Sequence, residues 1–372
     1  MAIEDELGRD FQTDLGGAVA QPASLTLENV FSQMDQRMNV SDEFLADGTR
    51  LTLAPSSSVA MSDSASIDAD VTTIPGGFAL SMPLANGDTW GIGSNGFADR
   101  FFGLGSATLT QGPTLDAATL GDPLFSLVST HSHLGYAYDV GRGFNLRVGM
   151  LSDGLRQVYE PNLAADTTGS SNLWTTELRQ QTAARYLSVS VSQLRENEGL
   201  LGSKQGDLFA LNAAPVTTAA SVQGAWRIAP GIAVAGRYTV GYTPAVHADT
   251  VTLISDVSDV RTDAFAAGLI HADAWRRGDR LSLTLSQPLR ASSGTMSFST
   301  PIGNDADGQM QYEARNVNLG TSGRELRTEL SYVTPVGKDR EVGVVLAHRQ
   351  QPDHDANAAA DNMAAVRWQM RF

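Results

Sequence analysis

Residues 363–372 read MAAVRWQMRF, and hydrophobic and polar residues alternate along most of this stretch. Successive side chains of a β-strand point to opposite faces, so the pattern predicts a strand with one apolar and one polar face. The apolar positions are Val366, Trp368, Met370 and Phe372, and the polar positions are Arg367, Gln369 and Arg371. The fold depends on what the apolar face contacts.

The same alternation recurs from residue 143 onward. It is clear in GFNLRVGML (143–151), GIAVAGRYTVGY (231–242), LSLTLS (281–286) and ELRTELSYV (325–333). The alternating segments run to roughly 9 to 14 residues, the length that a tilted strand needs to cross a bilayer. A strand of a soluble protein is typically nearer five or six residues. Strand length therefore favours a membrane β-barrel over a soluble β-sandwich.

The segments between the strands are of two kinds. Short turns are predicted at 140–143, 229–231, 275–279 and 335–339, and longer polar connections at 196–216, 246–259, 291–322 and 351–361. Outer-membrane barrels have short turns at the periplasmic end and long loops at the outer end. The alternation of the two kinds supports a barrel of this type.

Composition excludes several classes of protein. The chain has 372 residues with 36 glycines and no cysteine, which removes disulfides, thiolate metal sites and cysteine nucleophiles. A formal charge of −15 argues against nucleic acid as a partner. No apolar run reaches the length of a membrane-spanning helix. The first residues, MAIEDELGRD, are no signal peptide, so we expect either a cytosolic protein or a portion of a longer exported one.

We therefore predict an all-β fold, a transmembrane antiparallel up-and-down β-barrel. Twelve strands are expected near 78, 89, 124, 144, 184, 218, 232, 262, 280, 324, 340 and 362. Two further strands, at 67–74 and 171–180, would raise the number to fourteen. We assign residues 1–75 to an N-terminal segment that ends in a linker, and 76–372 to the barrel. The expected location is the bacterial outer membrane.

Charged residues share the face opposite the apolar stripe. If the apolar face meets lipid, they line a watery lumen; if it packs in a soluble core, they form the solvated exterior. The number of long strands without covering helices favours the lumen. The predicted lumen-lining residues are Arg147, Arg227, Arg237, Arg327, Glu329, Arg367 and Arg371.

The N-terminal segment contains a predicted helix near residues 25–39, because apolar residues recur there at steps of three and four. A single helix and a linker ahead of a barrel suggest a plug or a segment that threads the pore. The residues that we expect in this pore helix are Glu28, Phe31, Met34 and Asp35, with the two acids as possible partners of the lumen arginines.

The terminal stripe Val366, Trp368, Met370 and Phe372 is similar to the signal by which bacterial outer-membrane barrels are recognised for insertion. Segments 5–15 (DELGRDFQTDL) and 195–203 (RENEGLLGS) are similar to regions that follow the protease domain in subtilisin-like secreted peptidases of alphaproteobacteria. The chain therefore resembles the C-terminal translocator barrels of subtilisin-like autotransporters of these bacteria. The resemblance implies a barrel with a helix inside that exports or displays an upstream passenger.

The partners implied by this resemblance are outer-membrane lipid, the barrel-assembly machinery, periplasmic chaperones and an upstream passenger domain. Any protease activity would belong to that passenger, so no catalytic residue, metal or cofactor is expected in this chain. Two other hypotheses remain open: a free-standing porin-like channel plugged by the N-terminal region, and a soluble β-rich accessory domain of a secreted protease.

Motifs for other chemistry are weak. GIGSNG at 91–96 has the spacing of a dinucleotide-binding loop, but alternating β pattern surrounds it, so we interpret it as a glycine-rich strand end. His131 and His133 share a strand face without an evident third ligand. The stretch NDADGQMQYE at 304–313 lacks the first and twelfth ligands of a calcium loop.

Overall fold

A computed structural model gives the fold. The structure describes residues 2–4, 10–12, 41–54, 57–61, 70–74, 76–94, 97–112, 115, 118–128, 132–153, 170–197, 199–204, 211, 213–247, 254–304, 310–337 and 340–370. The predicted pore helix at 25–39, with Glu28, Phe31, Met34 and Asp35, lies outside these residues, as do Arg371 and Phe372.

One sheet of fifteen strands dominates the described part of the chain. In chain order its strands are β1 (Ser41–Phe44), β2 (Arg50–Ala54), β3 (Gly77–Pro83), β4 (Thr89–Ser94), β5 (Ser132–Gly141), β6 (Phe144–Ser152), β7 (Ser171–Gln181), β8 (Arg185–Glu196), β9 (Val216–Ala229), β10 (Ile232–Thr243), β11 (Val260–Ala272), β12 (Arg280–Ser293), β13 (Leu326–Pro335), β14 (Arg340–Gln350) and β15 (Asp361–Met370). Each strand pairs antiparallel with the next, from β1 at one edge to β15 at the other. The predicted all-β, up-and-down antiparallel architecture is confirmed.

The strand number differs from the prediction of twelve or fourteen. The strand expected near 124 is wrong, because Phe125–Leu127 is a short 3-10 helix and the strand follows at Ser132–Gly141. The additional strand expected at 171–180 is confirmed as β7. The other addition, Asp70–Ile74, is a strand, but it pairs with Ser57–Met61 outside the main sheet.

The sheet begins before residue 76, since β1 and β2 lie within the segment assigned to the N-terminal region. Two smaller assemblies lie among the connections. Val246–His247, Ile254–Val257, Thr295–Asn304 and Met310–Asn318 form a four-stranded sheet, and Gly199–Leu200 pairs with Ser203–Lys204. A further two-stranded pair joins Ala2–Glu4 to Asp10–Gln12.

The strand ends define two different ends of the sheet. At the short-turn end, strands are joined through residues 45–49, 84–88, 142–143, 182–184, 230–231, 273–279 and 336–339. At the long-connection end they are joined through 55–76, 95–131, 153–170, 197–215, 244–259, 294–325 and 351–360. The two kinds alternate without exception from β1 to β15. The short turns predicted at 140–143, 229–231, 275–279 and 335–339 all fall at one end.

The large apolar side chains of the sheet lie on its exposed face and many polar side chains on its buried face, which is the reverse of a soluble protein. On β8, Leu187, Val189 and Val191 are exposed, whereas the serines between them are buried. On β7, Glu177 and Arg179 are buried and Leu178 between them is exposed. Apolar side chains out and polar side chains in are what a barrel wall in lipid requires.

The sheet is strongly curved. A single hydrophobic cluster contains Ala137 of β5 and Leu289 of β12, which are seven strand spacings apart in the sheet order. In a flat sheet these strands would be about 34 Å apart, since neighbouring strands are separated by about 4.8 Å. The wall therefore curls around the segment that fills this cluster, the connection between β4 and β5.

Candidate functional site

The described residues between 97 and 128, which are 97–112, 115 and 118–128, occupy the concave side of the wall, and we call this segment the lumen plug. The plug belongs to the connection between β4 and β5 and contains four short 3-10 helices, at Phe97–Arg100, Leu104–Ser106, Ala118–Leu120 and Phe125–Leu127. Its apolar side chains are among the most buried in the described chain; they include Phe101, Phe102, Leu104, Leu115, Leu120 and Leu124. In the described part of the chain, two hydrophobic clusters are therefore formed by the plug and the wall around it, and a third lies in the long connections and the small four-stranded sheet.

Three glycines on neighbouring strands receive the plug aromatics. Gly91, Gly135 and Gly149 stand side by side in register on β4, β5 and β6. A Cβ atom on Gly91 or Gly135 would come closer than 3.0 Å to the ring of Phe101, and one on Gly149 would come as close to Phe102. The absence of side chains at this glycine shelf lets the two rings lie directly on the backbone of the wall. Gly91 lies in the GIGSNG motif, and residues 91–94 of this motif form the end of β4, as predicted.

Two polar wall residues bind the backbone of the plug. The N–H of Gly103 donates to Glu177 Oε2 at 2.6 Å, and the N–H of Leu104 donates to Gln223 Oε1 at 3.0 Å. Gly103 has φ +64°, a conformation that favours glycine. Tyr186 donates its hydroxyl proton to the other oxygen of Glu177 at 3.2 Å. A buried carboxylate that accepts a backbone N–H forms a strong hydrogen bond, so Glu177 fixes the plug to β7. The hydrogen bond to Gln223 fixes it to β9.

The plug reaches the opposite end of the wall. The N–H of Thr110 donates to the carbonyl of Ala183 at 2.9 Å, and the N–H of Gly231 donates to the carbonyl of Gln111 at 2.8 Å. Ala183 and Gly231 lie in short turns, whereas the plug leaves β4 at the long-connection end. The guanidinium of Arg227 also donates to the carbonyl of Thr110. The plug therefore extends along the full height of the wall.

The leucines of the plug pack against wall residues that are mostly alanine. Leu104, Leu109, Leu115 and Leu120 form one cluster with residues of β8 to β11. The wall contributes Tyr186, Ala225, Ala233, Ala235, Ala266 and Ile270. Alanine at four of these six positions leaves room for the leucines of the plug.

Charged groups meet inside the wall. The guanidinium carbon of Arg147 lies 4.7 Å from the centre of the Phe101 ring, a cation–π contact. Arg179 donates to the hydroxyl of Ser106 at 3.1 Å. Arg237 interacts electrostatically with Asp122 and Asp99 of the plug. Arg147, Arg179 and Arg237 thus each have a partner on the plug.

Comparisons with known proteins give a structural likeness only. No family model matches the chain, and no curated protein matches it. Among solved structures, the chain is similar to OmpT (in-vitro folded), an outer membrane protein of Vibrio cholerae, with a TM-score of 0.42 and 10% sequence identity. The match covers 89% of this chain and 88% of that chain.

The predicted lumen-lining residues lie on the inner side of the wall where the structure describes them. Arg147, Arg237, Arg327 and Glu329 are buried. Arg227 and Arg367 are half-buried, on the strand faces that carry the buried residues Ala225 and Ala365. The structure brings Arg147, Arg227 and Arg237 to the plug, and it places Arg327 and Glu329 on β13.

The terminal stripe faces outward as far as it is described. Val366 and Trp368 on β15 are exposed. Ala365, whose side chain is on the opposite face of the same strand, is buried. The side chain of Met370 lies outside the described part. The strand that carries the predicted insertion signal is thus the edge strand of the sheet, with an apolar outer face.

A second charged cluster lies at the long-connection end of β13 and β14. Arg327 donates to Glu325 at 3.3 Å, and Arg349 binds Asp361 with its Nε at 3.0 Å. Arg349 also lies 3.9 Å from Glu325. The plug docks mainly on strands from β3 to β12, so these groups line the wall beyond it.

No sequence pattern predicts that Glu177 and Gln223 bind a plug, because their roles depend on a loop that is distant in sequence. The inward glycines were a usable signal, since glycine at an inward position on three successive strands requires something bulky to fill the space. Within the described residues, no group of three or more His, Cys, Asp or Glu side chains could hold a metal ion. No helix in that part of the chain is long and apolar enough to cross a membrane.

Proposed function

We propose that the chain is an integral outer-membrane β-barrel that anchors the segment preceding it at the cell surface, as the translocator of an autotransporter does. Its partners are outer-membrane lipid, the barrel-assembly machinery with periplasmic chaperones, and the upstream passenger. The observation that carries the proposal is the plug, which is hydrogen-bonded to Glu177 midway along β7 and to two short turns, and which packs against Leu151, Leu173 and Leu194 near the long-connection end. A lumen filled along its height suits an anchor better than a diffusion channel.

The sidedness of the wall supports the membrane part of the proposal. Large apolar side chains on most strands of the sheet are exposed, among them Leu134, Val148, Leu178, Val222, Tyr238, Leu283 and Leu346. Burying such a surface in hydrocarbon is favourable, whereas leaving it in water is costly. A soluble accessory domain would turn this face inward, so the third hypothesis is disfavoured.

The direction of the edge strands supports the anchoring part. β1 runs toward the short turn at 45–49, so the chain enters the sheet from the long-connection side. β15 runs from the connection at 351–360 toward the short-turn end. With the long connections outside the cell, as in other outer-membrane barrels, β1 begins at the outer end of the wall. That is where a displayed passenger would lie.

A porin-like channel is the second candidate, and one observation favours it. The buried charges Glu325, Arg327 and Arg349 on and beside β13 and β14 lie beyond the strands on which the plug mainly docks. Charged side chains on an inner wall are what an aqueous path requires. The two candidates differ in whether ions pass while the plug is docked.

Conductance in planar bilayers separates the two candidates. An anchor should show little conductance as the intact chain and a large increase when residues 97–128 are replaced by a short Gly-Ser linker. A porin should conduct already as the intact chain. Detergent extraction and heat-modifiable mobility on a gel test the barrel itself, since a chain that stays soluble in plain buffer contradicts both candidates.

Display is tested on whole cells. An epitope placed before Ala2 should bind antibody on intact cells that express the chain with an export signal. An epitope inserted at the short turn 142–143 is the matched control and should become accessible only after the outer membrane is permeabilised. The reverse result would contradict the proposed orientation.

A further inference from the structure

Tryptophan is concentrated at the short-turn end of the wall. Of the five tryptophans, four lie there with exposed side chains, namely Trp90, Trp226, Trp275 and Trp368. Trp90 packs edge-on against Tyr136 with ring centres 4.9 Å apart, and Trp275 packs in the same way against Tyr332 at 5.1 Å. Indole rings prefer the depth of the lipid headgroups, so this rim marks one membrane interface.

Arginine accompanies the tryptophans on the same rim. Arg185 stands directly opposite Trp226 in the register of β8 and β9. Arg276 and Arg277 follow the highly exposed Trp275 in the turn 273–279. Arg340 of β14 is a diagonal neighbour of Trp368 on β15, two residues from its partner Val342. All four guanidinium-bearing residues are exposed.

The acidic residues of this rim are used to hold the turns. Asp279 accepts from the N–H groups of Ala274, Trp275 and Arg276, and Tyr332 donates its hydroxyl proton to the same carboxylate at 3.0 Å. Asp273 accepts from the N–H of Gly278. Within the described residues, the guanidinium groups of Arg185, Arg276 and Arg277 have no carboxylate partner.

Asp88 has the same structural role in the turn 84–88. It accepts from the N–H of Asp139 at 2.9 Å and from the hydroxyl of Tyr136. The hydrogen bond from Tyr136 lowers the pKa of Asp88. Asp88, Asp273 and Asp279 thus hold the turns at this end, whereas Arg185, Arg276, Arg277 and Arg340 are exposed on the rim.

We propose that this rim, formed by Arg185, Arg276, Arg277 and Arg340 with Trp226, Trp275 and Trp368, binds anionic glycerophospholipid headgroups. Guanidinium groups bind phosphate oxygens through paired, charge-assisted hydrogen bonds. The proposal rests on the membrane orientation proposed above, in which the short turns lie at the periplasmic leaflet. The whole chain carries a formal charge of −15, so its overall field repels anionic lipid and the attraction has to be local.

The test uses the full chain folded into bilayers of phosphatidylcholine with a minor fraction of phosphatidylglycerol. Brominated lipid quenches tryptophan fluorescence on contact, and four of the five tryptophans, namely the three of the rim and Trp90, lie at the short-turn end. We expect brominated phosphatidylglycerol to quench more than the same amount of brominated phosphatidylcholine, with roughly fivefold local enrichment for one strong arginine contact. The excess should shrink as the salt concentration is raised.

The variant with Arg185→Gln, Arg276→Gln and Arg277→Gln should lose most of this excess and still show heat-modifiable mobility. The matched control is Arg195→Gln, because Arg195 is exposed on the same face of β8 at the opposite end of the strand. We expect this control to keep the excess quenching. Its loss in the control as well would contradict a rim at the short-turn end.

The outcomes separate this proposal from the proposed function. A folded, heat-modifiable chain that is quenched equally by the two brominated lipids overturns the rim and leaves the barrel intact. A chain that is quenched by neither lipid and stays in the aqueous phase overturns the membrane barrel, and the lipid rim with it.

Discussion

The backbone N–H of Gly103 in the plug donates to Oε2 of Glu177 in the wall across 2.6 Å, and both groups are buried. Glu177 also interacts electrostatically with Arg147 and Arg179. One carboxylate thus holds the plug backbone and offsets the charge of two inward guanidinium groups. Because Glu177 contacts both the plug backbone and the arginines of the wall, its substitution should affect the plug most directly.

Glu177→Ala should weaken the docking of the plug. The substitution leaves a buried N–H without its acceptor and two arginines without their carboxylate, which costs about 1.5–3 kcal/mol. Denaturant unfolding of the inserted barrel, followed by tryptophan fluorescence, should show this loss of stability. In planar bilayers the same variant should show a higher conductance than the wild-type chain. Glu313→Ala on the exposed hairpin strand Met310–Asn318 is the control, with an expected change below about 0.5 kcal/mol. Equal effects of the two substitutions would show that Glu177 has no special role.

Gly135→Ala should displace the plug without preventing the barrel from forming. The added Cβ would overlap the Phe101 ring, so the ring has to move, at a cost of about 1–3 kcal/mol. We expect a higher conductance and faster proteolysis within 97–128. Gly236→Ala is the matched control, because a Cβ there meets only the carbonyl oxygen of Ala266, at 3.5 Å. An unchanged conductance in the Gly135 variant would argue against the glycine shelf as the seat of the plug.

The wall could be predicted from the sequence because its signal is local. Alternation within segments such as 231–242 and 325–333 fixes which side chain faces which side, and the lengths of the turns fix the order of the strands. The same alternation predicts that charged residues such as Arg147 and Arg237 lie on the inner face. The first two strands at one edge of the sheet are harder to predict, since β1 and β2 have only four and five residues. Strands so short carry too little alternation to be distinguished from a linker.

The plug could not be predicted in the same way. Residues 97–128 have neither a two-residue period nor a helical one, and the hydrophobic stretch near 124 wrongly predicts a strand. Their position depends on contacts between residues far apart in sequence: Gly103 and Glu177 are 74 residues apart, and Leu104 and Gln223 are 119 residues apart. Local propensity says nothing about such pairs.

Mild acid should loosen the connection at 351–360. Burial lowers the pKa of His354 from its usual value of 6.5 to about 4, and its Nδ1 accepts a hydrogen bond from the N–H of Glu325 at 2.9 Å. Between these two pH values the unfolded connection binds more protons than the folded one. The stabilisation is therefore complete above about pH 6.5 and decreases as the pH falls toward 4.

Hydrogen exchange of the Glu325 amide, corrected for its intrinsic rate, should report this loss between pH 7 and pH 4.5. His354→Asn is the informative variant, because a side-chain amide oxygen can accept the same hydrogen bond and does not titrate. Its protection should be independent of pH over this range. A wild-type amide that stays equally protected at pH 4.5 would show that His354 does not control the connection.

A charge in the middle of the outer face distinguishes lipid from water most directly. Val189 lies near the centre of β8 with half of its side-chain surface exposed, and Gln193 lies on the same face four residues nearer to the long-connection end. In a bilayer, Val189→Arg should cost about 2–4 kcal/mol of folding stability, and Gln193→Arg only about 0–1 kcal/mol, because the penalty for a cation decreases toward the interface. Unfolding of both variants in liposomes measures this difference. In a soluble protein both positions would face water and neither arginine would cost much, so two small and equal changes would mean that the apolar face of this wall does not meet lipid.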